Sequence, residues 1–566
     1  MREKITSAVK QAVKELYQID VDPVIEHPAI EAHGDYSTNV AMALAERLGK
    51  KPLEIAEKLS EAISNYQLGI IKLAEVANPG FINFWINEGT LVEKVQEVNE
   101  AKEDYGRSEI GNGETVVIDY SAPNIAKRFG IGHLRSTVIG RALYNLHKFS
   151  GYKVVGDNHL GDWGTQFGAI LRQVKARKLA INKLTIDKLE ELYVEFHRKA
   201  EKDPKLMVEA REWFLKLEQG DKEARELWKA VVGVSMKEFD RIYSLLGVEF
   251  DHAHGESFYE DKMPAAIEAV RVRGLSKRSD GAEIVEFAKL PPAILVKSDG
   301  GTTYFTRDLA TIKYRLETWQ PQTIIYEVGA DQRLHFQQVF ETAKRLGWTD
   351  GTELVHVAHG LIRFAEGKMS TRRGQTVNLE EVLDEAVKRA EKLITASGGT
   401  PPKAVAGQKG AVAKALGIGA VKYFDLSHQP QTDIIFDWEK LFLLEGNSAP
   451  YLQYTYARAT SVLRKAGKTE SKILNLKSEI LDAETPLLRY LYRFPEVVES
   501  ATKAYSPNLV CNYLFELAQR FNSFYAAAPI IKAEENKELR LALTAATAQV
   551  LKNGLTLLGI EAPERL

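Results

Sequence analysis

The chain of 566 residues contains a single cysteine, Cys511. One thiol cannot form a disulfide within the chain, and it cannot build a zinc site that depends on several cysteines. Cys511 lies in the helix-like run "SPNLVCNYLFELAQRF", which indicates a small buried side chain rather than a nucleophile. These observations exclude disulfide-stapled domains and cysteine-rich metal sites.

A strong net charge and long apolar runs are also missing. The formal net charge is -2, so any nucleic acid must be held by local patches of Lys and Arg. No run approaches the roughly 18 apolar residues of a membrane helix. The first segment, "MREKITSAVKQAVKELYQI", has charges throughout and lacks the apolar centre of a signal peptide. We therefore expect a cytoplasmic protein with no membrane partner.

The chain is too long for one hydrophobic core, so several domains are expected. Two strand–helix–strand patterns, beginning at "TVVIDYSA" and "QTIIYEVGA", predict a doubly wound parallel sheet with its ligand at the carboxyl ends of the strands. The fold class is therefore α/β, with an α+β region before the sheet and an all-helical bundle after it. The predicted domains are an N-terminal domain (1–110), a parallel-sheet domain (111–375) with an insertion that carries a hairpin at about 170–290, a helical connector (376–435) and a helical bundle (436–566).

A glycine-rich turn, "FGIGHLRST" at 129–137, connects the first strand of the sheet to a helix. Gly130 and Gly132 have no Cβ and allow the backbone to approach a ligand closely. His133 falls at the start of the helix, where backbone N–H groups and the helix dipole favour phosphate. A tight turn with a helix-start histidine is the structural alternative, because many strand-to-helix turns contain two glycines.

A basic loop, "EGKMSTRRG" at 366–374, follows a later strand. Lys368, Arg372 and Arg373 could meet the negative charge of a polyphosphate. With the glycine-rich turn, this loop resembles the two-part ATP site of the class I aminoacyl-tRNA synthetases. Further stretches resemble arginyl-tRNA synthetase in the family's order along the chain: "SAPNIAKRFGIGHLRST", "DNHLGDWGTQFG", "TTYFTRDLA", "VGADQRLHFQQVF", "GKMSTRRG" and "SAPYLQYTYARATSVLRKA".

The resemblance implies a Rossmann-like catalytic domain, an added N-terminal domain that contacts tRNA, and a C-terminal helical bundle for the anticodon. It also implies an ATP site, in which residues 359 to 361 supply backbone groups to adenine. The implied ATP-binding and catalytic residues are Lys127, Gly130, Gly132, His133, His359, Leu361, Lys368, Met369, Ser370 and Arg372.

Two positions depart from the family pattern. Gly130 stands where the motif normally has a histidine, although the second histidine is kept as His133. Thr371 replaces the loop's second lysine, a loss that many arginyl enzymes share while carrying a lysine just before the turn, as Lys127 does here. We therefore expect a working ATP site in which Lys127, Lys368, Arg372 and His133 supply positive charge.

The guanidinium of arginine is planar and always charged, and it is best met by carboxylates. Tyr304 and Asp308 are four residues apart and share one face of a predicted helix. Without the resemblance, the favoured interpretation of Asp308 is an ion pair with Arg307 or a charge at a helix N-terminus. With it, the implied arginine-binding residues are Asp119, Ser121, Asn124, Glu256, Tyr304, Asp308 and Gln332.

Two further segments match the family's tRNA contacts. In "NPGFINF", Asn78, Phe81 and Asn83 would contact a base of the D-loop, and the alternative is a turn followed by core aromatics. In "YLQYTYARATSVLRK", Tyr454 and Arg458 suit anticodon bases stacked on aromatic faces, although some of these tyrosines must be core.

The resemblance implies arginine–tRNA ligation: ATP and L-arginine form an adenylate, and the arginyl group passes to tRNA(Arg). Mg²⁺ accompanies the nucleotide, activation commonly needs bound tRNA, and no metal ligands are predicted in the chain. We expect a monomer. One alternative is a synthetase-like tRNA-binding protein with impaired catalysis, which only Gly130 favours. Another is a class I enzyme for a different amino acid. The lack of zinc-binding cysteines argues against cysteine and methionine, and Asp308 argues against glutamate.

Overall fold

The computed structural model describes residues 1–364, 377–396, 409–467 and 480–566. The chain divides into two compact units, each built from three segments. The first unit comprises Met1–Tyr105, Ala459–Phe494 and Gln519–Val550, and the second comprises Gly106–Arg458, Pro495–Ala518 and Leu551–Leu566.

Strands and helices are numbered here in chain order over the described residues. The strands are β1 (Ile25–Glu26), β2 (Tyr36–Thr38), β3 (Ile71–Ala77), β4 (Phe81–Ile86), β5 (Thr115–Asp119), β6 (Lys153–Asp157), β7 (Ser276–Ser279), β8 (Ala282–Val285), β9 (Ala293–Val296), β10 (Thr323–Gly329), β11 (Glu353–His359), β12 (Ile362–Phe364) and β13 (Ile434–Phe436). The helices up to the sheet's end are α1 (Arg2–Tyr17), α2 (Val40–Leu48), α3 (Pro52–Asn65), α4 (Glu88–Ala101), α5 (Gly132–Phe149), α6 (Thr165–Ala176), α7 (Ile186–Ala200), α8 (Lys205–Glu218), α9 (Lys222–Leu246), α10 (Met263–Val272), α11 (Tyr304–Trp319) and α12 (Arg333–Arg345). The later helices are α13 (Leu379–Ala396), α14 (Lys409–Leu426), α15 (Trp438–Leu441), α16 (Ala449–Lys465), α17 (Thr485–Leu491), α18 (Phe494–Lys503), α19 (Asn508–Ala527) and α20 (Lys537–Leu557).

The first unit contains an antiparallel sheet in the order β1-β2-β4-β3. Helix α3 packs on strand β3 and buries Ile55, Leu59 and Ile63, which recur at helical spacing. The turn between β3 and β4 is the predicted Asn78-Pro79-Gly80 turn. This unit also contains helix α17, which packs on α4.

The second unit contains a parallel sheet in the order β11-β10-β5-β6. Its central strands, β5 and β10, are mostly buried, as expected for a sheet covered on both faces. The register pairs Asp119 with Tyr326 on one side and with Asp157 on the other, and it pairs Gly329 with His359. The carboxyl ends of the four strands therefore lie along one edge, and the predicted parallel-sheet fold is confirmed.

Between β6 and β10 the chain forms helices α6 to α10 and an antiparallel sheet in the order β7-β8-β9. The predicted hairpin is present as β7 and β8, whose two-residue turn is Asp280-Gly281, where both residues have left-handed φ values of 50° and 79°. A second turn, "SDGG" at 298–301, follows β9, and in it the Lys297 amide donates to the Gly301 carbonyl at 2.8 Å.

The helices after the sheet include α14, whose residues from Ala415 to Leu426 are all buried. Cys511 is buried too, as expected for a small core side chain. Strand β12, just before residue 365, pairs in parallel with β13. Over the described ranges, no helix combines the length and the apolar character needed to cross a membrane.

Candidate functional site

The glycine-rich turn is closed by the chain segment that follows residue 376. The Ile131 amide donates to the Val377 carbonyl at 2.9 Å, and the Leu379 amide donates to the Phe129 carbonyl at 2.9 Å. Gly130 forms an isolated bridge with Asn378. The four predicted ATP residues of the basic loop, Lys368, Met369, Ser370 and Arg372, lie outside the described residues.

His133 begins helix α5 and is bonded back to the turn. The Gly130 amide donates to its Nδ1 at 3.1 Å, so the ring proton lies on Nε2. Burial lowers the pKa of His133 to about 4, and the nearby charges of Lys127 and His359 act in the same direction. This pKa favours the neutral ring, which offers an Nε2–H donor in place of the positive charge predicted for His133. Gly132 is exposed, with open space around it.

The loop before the turn is held by helix α7 of the insertion. The Lys127 ammonium lies 5.0 Å from the centre of the Tyr193 ring, a cation–π distance. Its neighbour Arg128 forms ion pairs with Asp187 and, at 3.6 Å, with Glu190. Tyr193 was not among the residues predicted from the sequence, because a tyrosine on a charged helical insertion carries no signal that connects it to a loop about 65 residues earlier.

The backbone predicted to contact adenine is already hydrogen-bonded within the protein. The Gly360 amide donates to the Pro430 carbonyl at 2.9 Å, and the Leu361 amide donates to Asp433 Oδ1 at 2.7 Å. The Leu361 carbonyl accepts from the Ile434 amide at 2.8 Å. The Leu361 N–H is therefore not free to bind a base, whereas its side chain is 54% exposed.

Asp308 lies on helix α11 at the carboxyl edge of the sheet. Its Oδ2 is 2.5 Å from His335 Nε2, at the start of α12, and its Oδ1 is 3.9 Å from His159 Nε2, just after β6. Burial would raise the pKa of Asp308, but the hydrogen bond and charge of His335, with His159, outweigh burial and lower it. Burial also opposes the rise of the His335 pKa that Asp308 causes. The alternative ion pair of Asp308 with Arg307 is not formed.

Arg307 pairs instead with Glu256, at 3.0 Å between Nη1 and Oε2. Burial raises the pKa of Glu256 to about 8; Arg307 opposes the rise, and Asp308 and Asp162 add to it. The Arg307 guanidinium also lies 5.3 Å from the centre of the Tyr304 ring, and Tyr304 is 61% exposed. One oxygen of the predicted Glu256 contact is therefore already engaged by a guanidinium of the protein itself.

Asp119, at the end of β5, is part of a buried ionic group. Its Oδ2 lies 2.8 Å from Arg315, which also contacts Asp157 at 2.9 Å. Burial raises the pKa of Asp119 although Arg315 opposes the rise. Arg315 occupies one carboxylate oxygen of Asp119, so only the other oxygen is available for the predicted contact with arginine.

The remaining predicted arginine contacts differ in accessibility. The Ser121 hydroxyl is buried and lies 2.8 Å from both Thr137 Oγ1 and Tyr243 Oη, so a free hydroxyl is not presented to a substrate. Asn124 is exposed and forms an isolated bridge with Gly161. Gln332 is exposed and precedes α12 by one residue.

Two of the three predicted D-loop contacts are accessible in the first unit. Asn78 is exposed at its turn, and Phe81 is 37% exposed at the start of β4. Asn83 is buried, and its Oδ1 accepts from the Ser37 hydroxyl at 2.7 Å. The Asn83 side chain is therefore hydrogen-bonded within the sheet and is not accessible at the surface.

The predicted anticodon contacts lie on helix α16. Tyr454 is half-buried and packs against a cluster that includes Ile394 and Leu416. Arg458 is exposed one turn later. Across the ranges the structure describes, no three His, Cys, Asp or Glu side chains gather as a metal site.

Family models match three successive parts of the chain. Residues 3–86 match the arginyl tRNA synthetase N terminal domain, residues 94–438 match the tRNA synthetases class I (R) catalytic domain, and residues 452–566 match the DALR anticodon binding domain. The chain belongs to the arginyl-tRNA synthetase family. Class I aminoacyl-tRNA synthetases use ATP. Nothing in these matches favours the alternative of a family member with impaired catalysis.

Similar family members span the whole chain. An arginine–tRNA ligase of Chloroflexus aggregans is 42% identical over 575 residues, covering 100% of this chain and 99% of its own. One of Clostridioides difficile is 41% identical over 570 residues, covering 99% of each chain. The crystal structure of the arginyl-tRNA synthetase of Plasmodium falciparum matches with a TM-score of 0.85 at 25% identity, covering 100% of this chain and 99% of that one.

Proposed function

We propose that this chain is an arginine–tRNA ligase. It activates L-arginine with ATP to arginyl-adenylate and transfers the arginyl group to the terminal adenosine of tRNA(Arg). The observation that carries the proposal is the position of the Asp308 carboxylate. It meets residues that follow β6 and β10, at the edge of a parallel sheet where α/β folds bind ligands.

In the activation step, the arginine carboxylate attacks the α-phosphorus of ATP and pyrophosphate leaves. Lys127 supplies a cation beside the phosphates, and His133 donates a hydrogen bond through Nε2 from the N-terminus of α5, where the helix dipole adds to the attraction. Lys368 and Arg372 supply further charge, with Met369 and Ser370 beside them. Mg²⁺ enters with the nucleotide. Most of the acceleration comes from positioning and charge stabilisation.

Amino-acid selection follows from the acidic side chains. Asp308 accepts from the guanidinium beside the exposed ring of Tyr304, and its Oδ1, 3.9 Å from His159, is the less engaged oxygen. Asn124 and Gln332 hold the carboxylate and amino ends of the substrate. An uncharged analogue would leave a buried acceptor unpaired, so selection needs no separate editing domain.

We propose tRNA contacts in each of the two units. Phe81 stacks on an unpaired base of the D-loop and Asn78 bonds to its edge, while Tyr454 and Arg458 contact the anticodon. We further propose that the enzyme is a cytoplasmic monomer with the domain boundaries predicted above.

Charging of total tRNA with labelled arginine tests the proposal. We expect acid-precipitable label that requires ATP, and competition by unlabelled arginine but not by glutamate, methionine or cysteine. Arginine-dependent exchange between ATP and pyrophosphate, measured with tRNA present, isolates activation. Binding of tRNA without exchange would instead identify the impaired tRNA-binding alternative.

A further inference from the structure

Strand β10 carries a carboxylate in the centre of the sheet. Glu327 is fully buried, pairs with Val357 of β11 and follows Tyr326, the last β10 residue that pairs with β5, in a region where parallel strands normally carry apolar side chains. A buried carboxylate costs several kcal/mol unless it is paired. Its Oε1 lies 2.9 Å from His359 Nδ1, and its Oε2 has no hydrogen-bond partner among the described residues. Strand β10 therefore carries a buried carboxylate that is unfavourable in free energy, and His359 is its hydrogen-bond partner.

His359 ends strand β11 at the carboxyl edge of the sheet. Because Nδ1 faces Glu327, Nε2 points the opposite way on the ring. That nitrogen lies 3.7 Å from where a Cβ on Gly329 would stand, so it faces the edge where β10 ends. The side chain is 12% exposed, which leaves access to a bound ligand but little to bulk water.

Among the charged groups near the His359 ring, Glu327 is the one in hydrogen-bond contact with it. The other titratable or charged groups near the ring are His356 on β11, His133 and Arg135 on α5, Asp425 on α14, and Asp331 after β10, whose Oδ1 lies 2.5 Å from the same Cβ position on Gly329. Arg135 and Asp425 form a buried ion pair at 3.1 Å and largely cancel each other. Burial would lower the pKa of His359, but the charge and hydrogen bond of Glu327 outweigh burial and raise it.

We propose that Glu327 is a positioning residue that holds His359 as a cationic donor, with Nε2 directed at the bound nucleotide. This assigns to the His359 side chain the charge that an imidazole at position 130 would supply and that neutral His133 does not. The inference rests on the proposed ATP site at this edge. It goes beyond the backbone contact expected at residues 359 to 361, which the structure finds already engaged.

Two variants test the charge of Glu327 and the Nε2 donor of His359 separately. Glu327→Gln keeps an amide oxygen that can accept from Nδ1 but removes the charge that holds the ring protonated. His359→Asn keeps a donor near the Nδ1 position and removes Nε2. His356→Gln is the matched control, because His356 lies on the same strand and its Nε2 contacts the Val328 carbonyl at 3.1 Å.

The measurement is calorimetric binding of the non-hydrolysable analogue AMPPCP with Mg²⁺, from pH 6 to 8. At pH 7.5 we expect Glu327→Gln and His359→Asn each to weaken binding about tenfold, the loss of one charge-assisted hydrogen bond. Affinity of Glu327→Gln relative to wild type should recover as the pH falls to 6, since His359 regains its proton. His359→Asn should show no such recovery. The ratio to wild type removes the titration of the nucleotide itself.

The double variant tests whether Glu327 acts through His359. We expect Glu327→Gln to have no further effect in the His359→Asn background. Wild-type affinity in both single variants, or an undiminished effect of Glu327→Gln in that background, would overturn the inference. A folded wild-type protein that binds the analogue but shows no arginine-dependent exchange would overturn the proposed function instead, and leave this inference standing.

Discussion

At the scale of single residues, the two histidines beside the glycine-rich turn have different charge states. His133 is half-buried and accepts a hydrogen bond from a backbone amide, and burial lowers its pKa to about 4, which favours the neutral ring at pH 7. His359 contacts a buried carboxylate, which favours the protonated ring. We therefore propose that His359 and Lys127, rather than His133, supply positive charge to the triphosphate.

Lys127→Ala should reduce adenylate formation at least tenfold, or about 1.4 kcal/mol of transition-state stabilisation. The physical reason is the loss of a cation at the turn. The measurement is arginine-dependent ATP–pyrophosphate exchange, with Lys277→Ala as the control, since Lys277 pairs with Glu286 on a surface hairpin. Full activity of Lys127→Ala would remove this lysine from the mechanism.

Asp308→Asn should raise the KM for arginine about a hundredfold in the exchange assay. A neutral amide cannot compensate the guanidinium charge, and hydrogen bonds to charged groups contribute about 1.5–3 kcal/mol. Glu317→Gln is the control, because Glu317 lies on the same helix, is exposed and pairs with Lys313. An unchanged KM in Asp308→Asn would place the guanidinium elsewhere.

At the scale of elements, helix α5 is joined to helix α14 by a buried ion pair. Arg135 Nε lies 3.1 Å from Asp425, and Arg135 Nη1 donates to the Thr432 carbonyl at 2.7 Å. Burial raises the pKa of Asp425, and Arg135 opposes that rise. The helix that presents His133 is thus anchored at its other face to the helical part of the second unit.

Asp425→Ala should destabilise the protein by about 3–5 kcal/mol, because it leaves the Arg135 charge buried and unpaired. Urea unfolding followed by tryptophan fluorescence measures the change. The double variant Arg135→Met/Asp425→Leu should cost less than either single change, since it removes both charges. A double variant at least as unstable as Asp425→Ala would show that packing, not charge, dominates at this contact.

Helix α5 also carries His147, whose Nδ1 lies 2.8 Å from the Leu143 carbonyl. Burial lowers the pKa of His147 to about 4. Below its ordinary pKa of about 6.5 the unfolded chain binds a proton that the folded chain does not, so stability falls as the pH drops from about 6.5 to about 4.

His147→Leu should therefore reduce the slope of unfolding free energy against pH by about 1.4 kcal/mol per pH unit near pH 5. The measurement is urea unfolding at pH 4.5, 5.5 and 6.5. Lys148→Ala changes the exposed neighbour on the same helix and should retain the wild-type slope. Identical slopes for His147→Leu and wild type would mean that the folded protein protonates this ring as easily as the unfolded chain.

At the scale of the whole molecule, a net charge of -2 must be reconciled with binding of a polyanion. The charges along α16 are locally basic, ending in Arg464 and Lys465 after Arg458. Attraction to phosphates must therefore come from local basic patches rather than from the net charge.

Binding of tRNA should weaken with salt, and Arg458→Ala should reduce the slope of log affinity against log salt by about one. Fluorescence anisotropy with labelled tRNA from 50 to about 200 mM KCl measures the slope. Lys277→Ala is again the control and should match wild type. A slope that Arg458→Ala leaves unaltered would exclude a phosphate contact by this residue.

The sequence by itself determined the elements and the family. Strands β5, β6 and β10 follow from short apolar runs, the turn at Gly130 follows from its glycines, and the shared face of Tyr304 and Asp308 follows from helical spacing. These features depend on neighbours along the chain, so local patterns suffice. The family motifs add the ligand chemistry, because they occur in a set order over the whole length.

Only the tertiary structure decided which side chains pair and which protons they hold. Arg307 contacts Glu256 rather than adjacent Asp308, and Asp308 contacts His335. Partial burial and an accepted backbone hydrogen bond favour the neutral ring of His133. These outcomes depend on distance and burial among residues far apart in the chain, and electrostatic free energies change steeply with both. No spacing rule along the sequence carries that information.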